Sequence, residues 1–462
     1  MRMIRTGAVA AVAAAALLLA GCTGAPDDGG GDDSLLIWTV EDVAERVEAQ
    51  QAILDAYAEE NGLDIELVAL AEDQLPAVLA SAAASNDLPD AIAAVSLNAL
   101  NQLNTDGVLD PDAAAAIVDA LGPDTFSPRA LELTSAGDTR LGVPSDGWAQ
   151  LLFYRTDLFE AADLEPPTTY EAITTAATTL NSPQVAGIVA ATAPADSFTV
   201  QTFEHFALAN DCQLVDDAGA VTLGSPECVE AIDFYTSLIT DASVAGNQDA
   251  DTTRATYFNG GAAMVVWSSF LLDELAGLRN DALPTCPECA ADPTFLAENT
   301  GVVSAIEGPS GSEPASFGEI VSWAVLSDAS AQTEDLVEYM MDDAYLDWLA
   351  LAPEGKVPTR TGTADEPTKF ADGWQQLEIG VDTKALLSSI YGEEIMQALI
   401  ESPDGFNRWG LPQGQGALAG AVGGQFVLPG VLSETINSGL SAEDAAERAA
   451  DEANTIKEDL GI

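Results

Sequence analysis

Segments typical of strands and helices alternate from residue 35 onward. Residues 35–40, 64–70 and 88–92 are short runs rich in apolar β-formers, and apolar residues with helical spacing follow each run. Asn61 and Gly62 supply a helix end between the first two runs. Such an alternation builds a parallel sheet wrapped by helices, and ligands of these sheets bind beyond the carboxyl ends of the strands. We therefore predict an α/β fold with binding residues at strand ends.

Residues 142–181 show a more specific order of elements. An apolar strand at residues 150–154 precedes a short helix, and Pro166 and Pro167 then stop that helix before Thr168 and Thr169 cap the next one. This order resembles a segment of the extracellular solute-binding proteins of the sugar-binding class, which are the capture subunits of ABC importers. The resemblance covers about forty residues and is more specific than a generic α/β pattern.

Three later segments carry the same resemblance. Residues 255–267 resemble the family segment in which a helix ends at glycine and a strand leads to a loop at the ligand. Residues 342–351 resemble a family helix, and residues 355–360 resemble a crossing between lobes. The resemblance implies a two-lobed, periplasmic-binding-protein-like fold of type II, in which each lobe is a sheet wrapped by helices and the ligand cleft lies between them.

The resemblance also implies how the chain is divided between the lobes. Crossings are expected near Pro144, Trp323 and Pro358, and the lobes are expected to close about them when a ligand binds. The predicted division is residues 35–143 plus about 296–355 for lobe one, residues 144–295 plus about 356–440 for lobe two, and residues 441–462 for a C-terminal helix.

The N-terminus has the pattern of an exported lipoprotein. Arg2 and Arg5 precede an uncharged run at residues 7–20, and residues 19–22 resemble a bacterial lipobox ending at Cys22. We predict a signal peptide over residues 1–21, a lipidated Cys22 and a Gly- and Asp-rich tether over residues 22–34. The expected location is the extracellular face of the cell membrane. An ordinary signal peptide, with Cys22 incidental, is the alternative.

The charge of the chain restricts its partners. With 15 basic and 75 acidic residues, the formal net charge is −60. Nucleic acid is excluded as a partner, because phosphates need cations to neutralise them. An acidic cleft that concentrates cationic ligands is one interpretation of the excess. A surface that stays soluble in high salt or an alkaline medium is the interpretation we favour, since the acids are scattered over every predicted helix.

The cysteines other than Cys22 form two near pairs. Cys212 and Cys228 flank a hairpin-like turn, and a disulfide between them would staple it to the following helix. Cys286 and Cys289 form a CxxC motif, for which a local disulfide, a redox dithiol and half of a zinc site are open. We favour the disulfide, because the chain has no second CxxC and its one histidine is His205.

Candidate ligand-binding residues come from strand ends and from the family-like segments. Tryptophan rings stack on the C–H faces of sugars, the Arg408 guanidinium donates to hydroxyl groups, and Asp42 and Asp146 accept from them. Packing in the core and helix capping are the alternative roles for these residue types. The expected ligand-binding residues are Trp38, Glu41, Asp42, Asp146, Trp148, Trp267, Ser268, Trp323, Arg360, Trp374, Arg408 and Trp409.

Nothing in the sequence indicates an enzyme. His205 lies in an apolar helical segment, and the chain has no GxSxG, no HExxH and no phosphate loop. A secreted glycosidase stays formally open among so many acids. We therefore expect a monomeric receptor without cofactor or metal, which captures a mono- or oligosaccharide for the permease subunits of an ABC importer. A polyol, polyamine or peptide is the alternative ligand.

Overall fold

The computed structural model describes residues 34–85 and 87–462. The predicted signal peptide, Cys22 and the tether up to residue 33 lie outside these residues. The strands are β1 Ser34–Thr39, β2 Asp64–Ala69, β3 Ala91–Val95, β4 Ser135–Ala136, β5 Thr139–Arg140, β6 Val143–Arg155, β7 Met264–Ser268, β8 Thr300–Val303, β9 Ser316–Val325, β10 Val357–Pro358, β11 Glu378–Ile379, β12 Ala385–Leu386 and β13 Phe406–Asn407. The helices are α1 Ala44–Asn61, α2 Leu75–Ser85, α3 Leu97–Asp106, α4 Pro111–Leu121, α5 Pro128–Leu133, α6 Thr156–Ala161, α7 Tyr170–Leu180, α8 Ser197–Ala209, α9 Pro226–Ala242, α10 Ala250–Phe258, α11 Leu271–Leu275, α12 Phe295–Glu298, α13 Gln332–Met341, α14 Tyr345–Leu349, α15 Lys369–Trp374, α16 Leu387–Ile390, α17 Glu393–Gly405, α18 Gly416–Gly424, α19 Val427–Ser438 and α20 Ala442–Leu460.

The first lobe is built on the alternation that opens the chain. Strand β1 pairs in parallel with β2 and β3, as the sequence predicts, and β3 pairs in antiparallel with β9. The sheet has the order β10-β6-β9-β3-β1-β2. Helix α1 ends at Gly62 and α3 ends at Gly107, both in the left-handed conformation that glycine adopts at helix ends. The predicted α/β fold is confirmed.

Strand β6 joins the two lobes. Its first part pairs with β9 as far as Ala149, and its second part pairs with β7 from Gln150 and with β8 from Leu152. The strand is 13 residues long and buried along nearly all of its length. We call the β7–β6–β8 layer and the helices on it the second lobe. Because one strand belongs to both layers, its residues near Ala149 lie where the lobes meet.

Each lobe has its own apolar core. Trp323, Trp348 and Trp374 are fully buried in the first lobe. In the second lobe, Phe203 packs edge to face against Tyr235 of helix α9, and the Phe206 ring lies tilted against the same tyrosine. The predicted C-terminal helix begins after Ser441, whose hydroxyl accepts from the Asp444 N–H, and it covers this second core with one apolar face. That face consists of Ala445, Ala446, Ala449, Ala453 and Ile456.

The strand pairing departs from the predicted lobe limits at three segments. Residues 144–149 of β6 and the short strand β10 pair within the first-lobe sheet, although both were expected in lobe two. Strand β8 pairs with the second part of β6, although it was expected in lobe one. These differences arise because β6 is long enough to extend through both layers, where it pairs with different strands. The other limits stay predictions.

Residues 187–190 form no strand, and isolated bridges of Ala186 with Ala262 and of Val189 with Val265 connect this segment to the β7 region. Gly187 lies so close to helix α7 that a Cβ atom there would sit 2.0 Å from the Ala177 carbonyl oxygen. Contact with a helix on that side leaves no room for a full strand ladder.

Both expected cysteine pairs are bonded. The Cys212–Cys228 bond joins the end of α8 to the first turn of α9, across the Val215–Val221 bridge of the hairpin. The Cys286–Cys289 bond closes a local loop, and both residues are buried.

Helices α18 and α19, near the C-terminus, together have the apolar composition of a membrane segment. Among the residues that the structure describes, no single helix is long and apolar enough to cross a membrane, but α18 and α19 pass that test together, with a bend of 43° between them. Leu418, Val431 and Leu432 of this pair are buried in the core of the second lobe.

The Cys212–Cys228 bond is expected to stabilise the second lobe. Replacing both residues by alanine should lower the free energy of unfolding by about 3 kcal/mol, because the unfolded chain regains the entropy of a 16-residue separation. Chemical denaturation followed by circular dichroism measures this loss. The matched control is the double alanine variant at Cys286 and Cys289, whose loop is shorter and whose loss should be smaller. Equal losses would contradict the entropic account.

Candidate functional site

A cavity of about 460 Å³ lies between the two lobes. Its walls come from the strand ends of the first lobe, from helix α8 of the second lobe and from helix α18. We call it the interlobe cleft. It is lined by Val40, Glu41, Glu72, Ala94, Ser96, Asn98, Asp146, Trp148, Ser197, Val200, Gln201, Glu204, Phe270, Phe317, Glu319, Val321, Gly355, Lys356, Arg408, Gly420, Gly423, Gly424 and Phe426.

The carboxyl ends of β1 and β3 supply one wall of the cleft. Glu41 follows β1, and Ser96 follows β3, where its hydroxyl caps helix α3 and donates to Glu72. Between β3 and β9 the register shifts, and Ala94 adopts a φ of 61°. A non-glycine residue in this left-handed region is strained, and such residues cluster at functional sites. The position agrees with the rule that ligands bind beyond the carboxyl ends of strands.

Lys356 is held in this wall by two carboxylates. Its ammonium nitrogen lies 3.6 Å from Glu41 Oε2, 3.5 Å from Asp146 Oδ1 and 4.3 Å from the centre of the Trp348 ring. Asp146 also accepts hydrogen bonds from the Trp348 indole N–H at 2.7 Å and from the Ser145 hydroxyl at 2.7 Å. Because Lys356 and Asp146 are both buried, each compensates the charge of the other.

Arg408 is held by a second pair of carboxylates. It forms ion pairs with Glu319 and with Glu204, and burial raises the pKa of both acids. Backbone N–H groups of Leu97 and Trp409 donate to these acids at 2.6 and 2.7 Å. Burial alone would lower the pKa of Arg408, but the two carboxylates raise it above its usual value. The guanidinium therefore stays charged inside the cleft.

Three half-buried aromatic rings face the cleft. Trp148 lies on β6 just before the strand changes partners, and it packs against Phe317 with the ring centres 5.8 Å apart. Phe270 lies directly on the backbone of Gly355, where any Cβ atom would meet its ring at 2.0 Å. Phe426 precedes helix α19 with a φ of 55°, a strained conformation for an aromatic residue. Partly exposed rings beside oriented polar groups suit a ligand with both C–H faces and hydroxyl groups.

The part of the chain that carries β2–β9 and much of the cleft also matches a known family. Residues 43–350 match the model of the bacterial extracellular solute-binding proteins. The chain belongs to this family. These are solute-binding proteins of transporters and not an enzyme family.

Individual relatives of this solute-binding protein agree with that assignment. YcjN of Escherichia coli (strain K12), whose name places it among ABC transporter periplasmic-binding proteins, is 24% identical over 407 residues, which are 85% of this chain and 88% of YcjN. An ABC transporter solute-binding protein from Thermotoga lettingae TMO, bound to α-D-tagatose, has 21% identity and a TM-score of 0.66 over 92% of this chain and 99% of that one. One from Agrobacterium radiobacter K84, in complex with ribitol, has 16% identity and a TM-score of 0.63 over 92% and 98%. The two structures share the fold of this chain.

Four of the predicted ligand-binding residues lie in the lining of the cleft of this solute-binding protein. They come from three separate parts of the chain, and the fold brings them together: Glu41, Asp146, Trp148 and Arg408. Three of them already form ion pairs within the protein. Glu41 and Asp146 pair with Lys356, whereas Arg408 pairs with Glu204 and Glu319. Trp148 makes no ion pair, and its half-buried ring is the one aromatic surface among the four.

Four predicted tryptophans pack in the cores instead. Trp38 is 5% exposed on the face of β1 that packs against α2, and Trp323 is fully buried. Trp374 donates its indole N–H to the Pro353 carbonyl at 3.1 Å, and Trp409 donates to the Cys212 carbonyl at 2.8 Å. These assignments are corrected: a buried indole with an internal partner is a structural residue.

The remaining predicted residues lie outside the cleft lining as well. Arg360 is buried and donates to the carbonyl oxygens of Met341 and Leu121, which ties the segment after β10 to helices of the first lobe. Trp267 donates to the Ala250 carbonyl at 3.1 Å, and Ser268 is paired with β6. Asp42 is exposed, in the turn before α1.

His205, the possible histidine base, is also a core residue. It is fully buried, its Nδ1 accepts from the Phe317 N–H at 3.1 Å, and burial lowers its pKa to about 3. Within residues 34–85 and 87–462, no group of three or more His, Cys, Asp or Glu side chains is arranged to hold a metal ion.

Sequence reasoning did not single out several lining residues: Glu204, Phe270, Glu319, Lys356 and Phe426. Two of them had a signal in the sequence. Lys356 lies in the crossing segment that resembles the family, and Phe270 follows the loop after β7, where ligand contact was expected three residues earlier. The other three are placed only by the packing of distant segments.

A pair of buried acids lies behind the Phe270 side of the cleft. Asp273 and Glu354 are 1% and 3% exposed, and both oxygens of Asp273 and one of Glu354 have no hydrogen-bond partner. Burial raises the pKa of Asp273, and burial together with the charge of Asp273 raises the pKa of Glu354. Arg46 offsets this only in part, since its guanidinium lies 4.0 Å from Glu354.

Alanine substitutions at two tryptophans should distinguish a residue that contacts the ligand from a residue that stabilises the core. Trp148→Ala should weaken ligand binding while the free energy of unfolding falls little, because the ring is half exposed. Trp409→Ala should lower the free energy of unfolding by about 3–5 kcal/mol, because a buried ring and its hydrogen bond are lost. Thermal unfolding and ligand titration of both variants test this. A stable Trp409→Ala protein would return Trp409 to the list of candidate ligand contacts.

Glu354→Gln should make stability less sensitive to pH. A carboxyl group whose folded-state pKa lies above its unfolded value destabilises the fold as pH rises from about 4.5 through the raised pKa. At pH 8 the glutamine variant should be more stable by on the order of 2 kcal/mol, and near pH 4.5 the two proteins should be equal. Urea denaturation at both pH values measures the difference. Glu59→Gln, an exposed change in α1, is the control; a gain that is the same at both pH values would refute the explanation.

Proposed function

We propose that this solute-binding protein captures an extracellular carbohydrate, a mono- or oligosaccharide, in the interlobe cleft and delivers it to the membrane permease of an ABC importer. The observation that carries the proposal is the lining of the cleft. Half-buried rings of Trp148, Phe270 and Phe426 stand beside ionised groups that already have opposite charges as partners. Such a surface offers C–H contacts and oriented hydrogen bonds to a ligand that has both apolar faces and hydroxyl groups.

The ion pairs disfavour an anionic ligand. Lys356 and Arg408 are the cations among the described lining residues, and carboxylates occupy both. An anionic ligand would have to compete with Glu41, Asp146, Glu204 or Glu319 for them, at the cost of leaving a buried acid unpaired. Hydroxyl groups can instead accept from the cations and donate to the acids without breaking either pair.

Structural neighbours support a ligand rich in hydroxyl groups. The protein from Thermotoga lettingae was solved with a ketose and the one from Agrobacterium radiobacter with a polyol. Because both share only the fold with this chain, they favour the chemical class and not a particular compound. A polyol is therefore the second candidate ligand, and the cleft can hold either, given a volume of about 460 Å³.

Closure of the lobes is the proposed mechanism of capture. The chain passes between the lobes through β6 and β9, and the Gly355–Lys356 turn before β10 adds a lining segment near the same plane. A ligand that contacts both walls binds the closed form more tightly and shifts the population toward it. Glu41 and Asp146 on one wall and Arg408 and Trp148 near the other would then act as a single site.

The proposed setting is the outer face of the membrane. Lipidation of Cys22 would anchor the protein, and residues 22–34 would let the monomeric receptor reach its permease. The formal net charge of −60 would keep the surface soluble in a saline or alkaline medium. No cofactor or metal has a part in this proposal.

Titration with a set of small molecules tests the proposed function. Purified protein in high salt should show saturable quenching or a shift of tryptophan fluorescence with D-tagatose, maltose or ribitol, because Trp148 lies in the cleft. Spermidine, a dipeptide and glucose 6-phosphate should have no effect. The binding compound should be recovered unchanged after long incubation. A response only to spermidine or the peptide would overturn the carbohydrate, and consumption of the compound would overturn the receptor.

A further inference from the structure

Arg46 of helix α1 lies directly behind one wall of the interlobe cleft. A terminal guanidinium nitrogen is 3.2 Å from Glu41 Oε1, and the guanidinium carbon lies 5.5 Å from the centre of the Phe270 ring. Glu41 and Phe270 both line the cleft, and Glu41 in turn pairs with Lys356 at 3.6 Å. One arginine outside the lining therefore contacts an acid and a ring of the cleft wall and, through the acid, influences a cation.

The same guanidinium also approaches the buried acid pair of Asp273 and Glu354. Its second terminal nitrogen lies 4.0 Å from Glu354 Oε1, so this contact is looser than the contact with Glu41. No hydrogen bond from the described residues reaches either oxygen of Asp273 or Oε2 of Glu354. Buried acids without donors keep their protons more readily than exposed acids do. Arg46 is therefore shared between a cleft acid and two acids whose charge can change.

Other titratable and charged groups surround the buried acid pair. They are Glu274 and Arg279 in and after α11, Lys384 in the β11–β12 turn, and Tyr391 after α16. Tyr391 donates its O–H to a backbone carbonyl, Arg279 pairs with Glu274 at 3.7 Å, and Lys384 is exposed. Within residues 34–85 and 87–462, Arg46 is the cation that lies within 4.0 Å of the pair. It is the group that responds most directly to the charge of these acids.

We propose that Arg46 is a positioning residue of the interlobe cleft and that the charge of the buried acid pair controls its contacts with Glu41 and Phe270. When the pair carries at most one negative charge, Arg46 stays close to Glu41. When both acids are ionised, they attract the guanidinium toward Glu354, and Phe270 loses the cation above its ring. Ligand affinity then falls as pH rises. The inference rests on the proposed function for the ligand, but the coupling between the pair and Glu41 needs no ligand.

Ligand titration at two pH values tests the proposal. Burial raises the pKa of both acids of the pair, which places the change of charge between about pH 5 and about pH 8. For the tightest binder among D-tagatose, maltose and ribitol, the affinity of the parent should fall about fivefold over this interval. Glu354→Gln should remove most of that fall, because the pair can then carry only one charge. The remaining pH dependence belongs to Glu204 and Glu319, whose pKa burial also raises.

Substitutions of Arg46 distinguish positioning from general stabilisation. Arg46→Met should weaken binding about tenfold at about pH 5 and should have the pH profile of Glu354→Gln. Arg46→Lys should keep part of the affinity and of the parent's profile, because it retains the charge without the planar fork. Arg448→Met, which breaks ion pairs outside the cleft lining, is the matched control and should bind as the parent does. Circular dichroism checks that each variant is folded, and Glu354→Gln remains a test if Arg46→Met does not fold.

A titration without ligand separates this inference from the proposed function. NMR spectra of protein with isotope-labelled glutamate carboxyl groups, assigned with Glu41→Gln and Glu354→Gln, should show the Glu41 signal shifting as Glu354 titrates. The shift should be absent from Glu354→Gln. If none of the three compounds binds but the Glu41 signal shifts, the carbohydrate proposal fails and the coupling stands. If the Glu41 signal stays constant, or if parent and Glu354→Gln lose affinity equally as pH rises, the inference is refuted.

Discussion

The hydrogen bonds of one strand hold the two halves of the molecule together. Strand β6 runs for 13 residues, gives its first part to the sheet of β9 and its second part to β7 and β8, and changes partners at Ala149 and Gln150. A strand this buried must pair on both edges. The cleft therefore lies at a change of sheet, and Asp146 and Trp148, two residues apart, reach it from the same face of one strand.

Buried charge is the second organising constraint. Each cation of the cleft is held by two acids that come from distant segments, so the ion pairs position the backbone segments around them. Arg408 connects α8 to β9 through Glu204 and Glu319, and Lys356 connects the end of β1 to β6 through Glu41 and Asp146. Removing one partner would leave an uncompensated buried charge, which costs far more than a surface ion pair contributes. The cleft is thus polar and pre-arranged before any ligand enters.

The sequence was sufficient where local chemistry decides structure and insufficient where long-range packing does. The glycine helix ends at Gly62 and Gly107, the cap at Ser441 and both cysteine pairs follow from local spacing. Local spacing does not show whether a tryptophan side chain points to the cleft or to the core. Trp148 and Trp323 lie on neighbouring strands, and of these two only Trp148 faces the cleft. Likewise Glu204 and Glu319 could not be told from 75 acids, because distant chain segments bury them.

The position of helix α18 in the chain has a consequence for how such receptors diversify. The family pattern covers residues 43–350, whereas Lys356, Arg408 and three glycines of α18 (Gly420, Gly423 and Gly424) come after it. The shared pattern therefore covers most of the cleft lining, including helix α8, and a further part of the lining is encoded by a separate stretch near the C-terminus. A change of ligand preference could then arise by altering that stretch alone, and overall likeness between two solute-binding proteins would be a poor guide to what each one binds.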